Sequence, residues 1–315
     1  MRILFAGTPE VAIPSLEALA GSSHEVVGVL TRADARRGRG RALRASPVKV
    51  RAAQLGLDVS TERPRGEEFE AWLRDKRVDA VAVVAYGEIL RPAVLEIPAH
   101  GWINLHFSLL PQWRGAAPVQ RAIIAGDEFT GATTFVIEPD LDTGPIIGYV
   151  TQRVSPGATS GELFDLLAHA GAGLMVATMD AIADGSADPQ PQSGAPTYAA
   201  KLTPAEGEIQ WTRPALAAAR HIAGFTPDPG AWTTLPGGAR LGIGPVSVAR
   251  PDDDRLGGRT LAPGQVLVTK RAVFVGTGTA AIELGEVSPQ GKKPMNAADW
   301  ARGARLSDDT RLGER

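Results

Sequence analysis

Asn104 and His106 are the residues whose types and spacing most plainly suit chemistry. They stand two apart in the apolar run Trp102–His106, and in an extended chain positions i and i+2 share a face. A side-chain amide is a neutral donor that suits a developing oxyanion, and an imidazole exchanges protons near pH 7. A hydrogen-bonded pair closing a strand end has the same spacing, so both readings stand at this point. A second polar cluster, Glu138–Gly144, sets Asp140 and Asp142 around Leu141, ahead of Thr143 and Gly144. Its acids are too few and wrongly spaced for a calcium loop, which leaves an Asp-capped turn or a carboxylate site. No metal site is expected. With no cysteine among 315 residues, thiolate nucleophiles, disulfide frameworks and Cys-ligated zinc are excluded. The turn Gly7-Thr8-Pro9-Glu10 has one glycine where a dinucleotide fold places three, which argues against NAD or FAD.

These residues need a frame. Ile3–Ala6, Glu25–Leu30 and Trp102–Leu105 read as short strands, and Ala80–Ala85 as a strand buried on both faces. Helices are expected over Val11–Ala20, from Pro47 with Ser46 as N-cap, over Phe69–Arg74 and near Val119–Ala125. Thr133–Ile137 and Ile146–Val154 follow as strands, and Glu162–Ile182 as a long alanine-rich helix. The alternation predicts an α/β fold: a Rossmann-like, doubly wound and mostly parallel sheet, with an antiparallel addition late on. Its carboxyl edge is where ligands bind, and Asn104 and His106 fall there.

Asp184–Pro204 is rich in Pro, Gly, Ser and Asp and marks a boundary. Beyond it, a helix over Pro214–Ile222 precedes short strands at Ala231–Leu235, Arg240–Val248, Gly264–Val268, Ala272–Gly276 and Ala280–Leu284. Strands separated by Gly/Pro turns predict a small β-barrel, OB-like, closed by a helix that Asn296 caps. The expected domains are 1–190, a linker at 191–205, and 206–315. No run of 18 consecutive apolar residues occurs, and the chain opens directly on a strand, so neither a membrane span nor a leader is expected. A cytoplasmic monomer is the expectation.

The formal charge of −2 conceals a strong asymmetry. Thr31–Arg51 carries Arg32, Arg36, Arg37, Arg39, Arg41, Arg44, Lys49 and Arg51 against Asp34, a local balance of +7. From Gln210 onward the balance is +4, so the rest carries −13. A basic run of this kind is either a solvated loop or a contact for phosphates, where it displaces counterions.

Taken together, Asn104–Gln120, Glu138–Gly144 and Arg2–Ala12 resemble the 10-formyltetrahydrofolate-dependent formyltransferases over essentially the whole chain. Val83–Leu90, Ser46–Lys49, Ala200–Leu202 and Gly291–Lys293 extend the likeness. Within that superfamily it is strongest to the branch that formylates methionyl initiator tRNA. The resemblance implies 10-formyltetrahydrofolate as formyl donor and direct attack by the amine through a tetrahedral oxyanion. It implies Asn104, His106 and Asp142 as the reacting residues. Asn104 would donate to the oxyanion; His106, held charged by Asp142, would donate a second bond and later a proton, and Asp142 would accept the amine's proton through a water. It implies folate contacts from Tyr86, Gly87, Ile89, Leu90, Ser108, Leu109, Leu110, Pro111, Asp140 and Gly144, with backbone prominent at 86–90. Arg36, Arg37, Arg39, Arg41, Arg44 and Lys201 are implied as tRNA contacts, Arg39 first among them. Trp113 and Arg114 read as residues that shape their loop. Asp228 departs from the family, which commonly has an aromatic in that segment. A formyltransferase for a glycinamide nucleotide or amino-sugar nucleotide would share Asn104, His106 and Asp142 without needing the basic run. A noncatalytic RNA-binding protein would not need the intact Asn/His and Asp sites.

Overall fold

The computed structural model describes residues 1–37, 42–304, 306 and 310–314, and the chain divides into two units. The first comprises residues 1–118, 129–153 and 164–199; the second comprises 119–128, 154–163 and 200–315.

The first unit is built on seven strands: β1 (Arg2–Gly7), β2 (Glu25–Leu30), β3 (Val59–Ser60), β4 (Ala80–Val84), β5 (Trp102–His106), β6 (Phe129–Val136) and β7 (Ile146–Arg153). Their order across the sheet is β7-β6-β5-β4-β1-β2-β3. The pairs from β3 to β5 are parallel, whereas β5–β6 and β6–β7 are antiparallel. The strand order therefore reverses between β1 and β4, and the crevice beyond their carboxyl ends is the place such a sheet offers a ligand. All five residues of β4 are buried, as its unbroken apolar run predicts. Helices α1 (Ile13–Ala20), α2 (Pro47–Gln54), α3 (Glu67–Asp75) and the short α4 (Pro92–Leu95) connect the parallel strands. Ser46 caps α2 as expected, its Oγ accepting from the Lys49 amide at 3.0 Å. Phe69 and Leu73, one helical turn apart on α3, reach the cluster around Leu4, Val81, Val83 and Trp102.

Two stretches differ from the sequence reading. The flanks of the basic segment are not loop: Ala35–Arg37 and Ala42–Arg44 pair as an antiparallel ribbon. Between them, Arg39 and Arg41 lie outside the described residues. Helix α6 runs over Ser160–Asp184, two residues longer at each end than expected. It has the length and mean hydropathy (1.5) of a membrane span, which a search for unbroken apolar runs misses. Here it serves as a core helix. Its Gly171 faces Leu105 of β5, Thr178 bonds Thr134 of β6 at 2.8 Å, and Asp180 meets His24 at 3.1 Å.

In the second unit, α5 (Pro118–Ala125, from its second residue), α7 (Ala215–Phe225) and α8 (Ala297–Ala304) accompany two four-stranded antiparallel sheets. The strands are β8 (Ala231–Thr234), β9 (Arg240–Ile243), β10 (Val246–Val248), β11 (Val266–Val268), β12 (Val273–Gly276), β13 (Ala281–Leu284), β14 (Glu286–Pro289) and β15 (Met295–Asn296). One sheet runs β8-β9-β14-β15 and the other β10-β13-β12-β11. The expected single strand Arg240–Val248 is bent at Gly244, and its partner 281–289 at Gly285, so both pass from one sheet into the other. Across the bend the Gly244 amide donates to the Glu286 carbonyl at 2.8 Å and the Gly285 amide to that of Pro245 at 3.3 Å. A Cβ at Gly285 would lie 2.7 Å from the Pro245 oxygen, which explains glycine there. Strands that turn a corner in this way give the barrel-like curvature the turn spacing predicts. Asn296 does cap α8, accepting from Ala298 at 2.9 Å.

Candidate active site

Strand β5 carries Asn104 opposite Val83 of β4 and Phe135 of β6, and His106 opposite Thr133. The period of two places both side chains on one face at the carboxyl end. Asn104 is half-buried, and its amide makes no hydrogen bond with the described residues. It is a free donor beside a buried imidazole.

His106 is 6% exposed. Its Nε2 lies 2.9 Å from the Trp113 carbonyl, which can only accept, so the neutral ring carries its proton on Nε2. The lone pair is then on Nδ1, 3.7 Å from Oδ2 of Asp142. Burial lowers the pKa of His106; the Asp142 charge and the Trp113 carbonyl oppose that shift without overcoming it. Burial thus works against the charged form that the sequence reading expects, and the tautomer leaves a nitrogen lone pair facing a carboxylate.

Asp142 comes from the loop between β6 and β7, and it sits at φ 51°. Left-handed backbone costs a non-glycine residue about 1–2 kcal/mol. The described residues contain four such non-glycine positions, and Ala85, Trp113 and Asp142 are three of them. Each borders this site, the pattern expected where a functional loop is held against its local preference. The Gly115 amide donates to Oδ2 of Asp142 at 2.7 Å. At Gly144 a Cβ would fall 1.7 Å from the Val136 carbonyl, so only glycine lets the loop turn back this tightly.

Gln192 completes the arrangement, and nothing in the sequence pattern singled it out. Its Nε2 donates to the carbonyls of Asp142 (2.8 Å) and Gly144 (2.9 Å). Its Oε1 accepts from Nε (3.1 Å) and a terminal guanidinium nitrogen (2.6 Å) of Arg114. The segment expected as linker belongs to the first unit as far as Ala199. There Tyr198–Ala199 pair with Arg114–Gly115, and Thr197 accepts from the Trp113 amide at 2.8 Å. Trp113 and Arg114 shape the loop, as the sequence reading has it.

The other expected contacts divide by where their side chains go. Tyr86 is buried in the core, and burial with Glu88 nearby keeps its phenol protonated, against the pull of Arg32. Leu90 packs on the same cluster, whereas Ile89 is 91% exposed. Among the described residues the backbone groups of Gly87–Leu90 make no backbone–backbone hydrogen bond, so a row of donors and acceptors stands open after β4. Ser108 is fully buried, its hydroxyl given to the Gln112 carbonyl at 2.5 Å, and Leu110 and Pro111 are buried too. Leu109 is half-buried against Gly131. Asp140 is exposed and Gly144 buried.

Of the basic residues, Arg36 and Arg44 stand exposed on the ribbon and Lys201 is exposed in the second unit. For Arg37 only the backbone is described. Arg36, Arg44 and Lys201 have no ion pair with described residues, unlike Arg32 with Glu88 at 3.1 Å and Lys49 with Asp34 at 2.7 Å. Asp228 is exposed in the second unit. No cluster of three His, Asp or Glu side chains among the described residues could hold a metal.

Comparison with known proteins places these observations. The formyl transferase model matches residues 1–179, and the formyl transferase C-terminal domain model matches 201–305. The methionyl-tRNA formyltransferase of Nocardioides sp. is 54% identical over 99% of this chain and 98% of that protein. That of Mycobacteroides abscessus is 57% identical over 97% of this chain and 98% of its own length. Among solved structures, an N-formyltransferase from Helicobacter canadensis with folinic acid and dTDP-3-aminofucose shares the fold. Its TM-score is 0.66 at 14% identity, covering 90% of this chain and 98% of the other.

Proposed function

This chain belongs to the formyl transferase family, in its methionyl-tRNA formyltransferase branch, and we propose that it moves the formyl group of 10-formyltetrahydrofolate onto the amino group of methionyl initiator tRNA. The observation that carries the chemistry is the buried His106, its Nδ1 facing Asp142 at 3.7 Å, with the free amide of Asn104 on the same face.

The amine nitrogen attacks the formyl carbon and the carbonyl pair moves onto oxygen. Asn104 donates its N–H to that oxygen, an interaction stronger in the transition state than before it. His106 takes the proton the attacking nitrogen must lose, at Nδ1, and Asp142 stabilises the imidazolium that results. His106 then returns the proton to the departing folate nitrogen as the tetrahedral species collapses. The products are the formamide and tetrahydrofolate, with no covalent enzyme intermediate. Nε2 stays bonded to the Trp113 carbonyl throughout, which keeps Nδ1 as the exchanging nitrogen.

The formyl donor is assigned to the open backbone row at Gly87–Leu90, whose donors and acceptors suit the edge of a pterin ring, and to the Asp140–Gly144 loop. Arg36 and Arg44 on the ribbon, with Arg37, Arg39 and Arg41 in the same run, are assigned to tRNA phosphates, as is Lys201. Such contacts position the RNA without reading its sequence. The protein acts in the cytoplasm, as a monomer.

The test is purified protein with 10-formyltetrahydrofolate and charged initiator tRNA, following formylmethionine. His106→Ala lowers single-turnover formylation by about 10²–10⁴-fold while the circular dichroism spectrum is kept. No formylation by the wild-type protein, or undiminished rates in the variant, would overturn the reading.

A further inference from the structure

We propose that Gln192 is a positioning residue for the reaction: it fixes the Asp142 loop so that the carboxylate faces Nδ1 of His106. The inference rests on the assignment of His106 and Asp142 above. It starts from what holds that loop: Ile146 and Gln190 exchange both backbone hydrogen bonds at 2.8 Å and fix the start of β7, while the residues ahead of it have few bonds of their own. Asp140 and Leu141 are exposed, the latter at 62%, so the loop has scant apolar anchorage. Within it, Thr143 Oγ1 donates back to the Asp140 carbonyl at 3.3 Å, and the Val136 amide donates to the Pro145 carbonyl at its base. The Gly115 amide meets the carboxylate of Asp142, but that bond holds one side-chain oxygen and no backbone group of the loop.

Gln192 supplies what these bonds lack. One primary amide spans the carbonyls of Asp142 and Gly144, at 2.8 and 2.9 Å, and so fixes the peptide units on both sides of Thr143. Its oxygen is held by two nitrogens of Arg114, at 3.1 and 2.6 Å, so the amide cannot flip without facing the guanidinium with its own N–H groups. The Arg114 backbone is anchored in turn, its amide donating to the Thr197 carbonyl at 2.9 Å. The brace therefore ties three separated parts of the chain, around 114, 142 and 192, into one polarised unit. Glutamine is specified because it donates at one end and accepts at the other. A glutamate would set negative charge against two carbonyl oxygens, and a leucine would leave both carbonyls and Arg114 without partners.

Displacing the loop moves Asp142 away from Nδ1. Since Asp142 raises the pKa of His106 and burial lowers it, the pKa must fall further when Asp142 recedes. A purely structural role for Gln192 would change stability and leave that titration alone.

The experiment uses Gln192→Glu and Gln192→Leu in the full chain, beside wild type and His106→Ala. First, wild type must formylate methionyl-tRNA and His106→Ala must not, which secures the underlying reading independently. Then single-turnover kcat is expected to fall about 10–100-fold in both Gln192 variants, the scale of a displacement near 1 Å, with KM for tRNA within about threefold. The imidazole of His106, followed by ¹⁵N NMR, is expected to titrate at lower pH in Gln192→Leu, which adds no charge, than in wild type. An unshifted or raised His106 titration in folded Gln192→Leu overturns the proposal, as does a kcat within twofold of wild type. If Gln192→Glu does not fold, Gln192→Asn, one methylene too short to span both carbonyls and Arg114, carries the same two readouts.

Discussion

Asp142→Asn isolates the electrostatic part of the site, because it keeps the shape and an oxygen for the Gly115 amide while removing one charge. Two unit charges 3.7 Å apart interact by about 1 kcal/mol in a water-like medium and about 4.5 kcal/mol at an effective dielectric near 20. That interaction favours the imidazolium, so removing it lowers the His106 pKa further. That value already lies below the ordinary imidazole range, because burial outweighs Asp142. The variant therefore favours the neutral imidazole more than wild type does, and loss of the free base cannot slow it. What it loses is stabilisation of the imidazolium formed as the amine gives up its proton. The same interaction energy predicts a single-turnover rate about 6- to 2000-fold lower, with folate affinity kept. The linked stability has a definite sign. With the folded pKa depressed, folding contributes most above the unfolded value near 6.5 and weakens as pH falls through the folded value. Asp142→Asn extends that loss to lower pH. The assay is ¹⁵N NMR titration of His106 in both proteins beside quenched-flow formylation. A His106 pKa that stays or rises in the variant would refute the reasoning, whatever the rate does. So would a lowered pKa with turnover within twofold of wild type.

Asn104→Ala is expected to lower turnover by about 10²–10³-fold and to leave the melting temperature essentially unchanged, because the amide has no partner among the described residues; calorimetry beside the rate separates the two. Arg44→Ala, at an exposed ribbon position without an ion pair, should flatten the dependence of log K on log salt for tRNA by about one unit. Folate affinity should not move, and a salt slope equal to wild type would count against the ribbon as a phosphate contact.

The parts of this protein that were legible in its sequence are those that obey a short period. Ala80–Val84 could only be a strand buried on both faces, and Asn104 and His106 share a face because a strand repeats every two residues. Ser46 and Asn296 announced helix starts because a cap is a local bond. Asp142 was different: nothing between residues 106 and 142 encodes their approach, and only family likeness connected them. Gln192 was not visible at all. It lies in a stretch of Pro, Gly and Ser without periodicity, and its bonds to Arg114 cross 78 residues. The bends at Gly244 and Gly285 were hidden for a related reason, since each glycine is explained only by a carbonyl on another strand.

The sign of the histidine's charge follows from the same distinction. Read alone, an imidazole near an aspartate suggests a charged pair, because opposite charges attract whatever surrounds them. Folding adds the term the sequence does not contain, which is loss of water around a ring that is 6% exposed. That loss penalises the cation while Asp142 favours it, and here the penalty is larger. A direct transfer needs such a balance. The attacking amine requires a base that is unprotonated at neutral pH, and the departing nitrogen requires that base to hold a proton long enough to return it. Burial without Asp142 would disfavour the cation further, and Asp142 without burial would favour it before the amine arrives. The bond from Nε2 to the Trp113 carbonyl keeps the exchange on Nδ1, the nitrogen that faces the carboxylate.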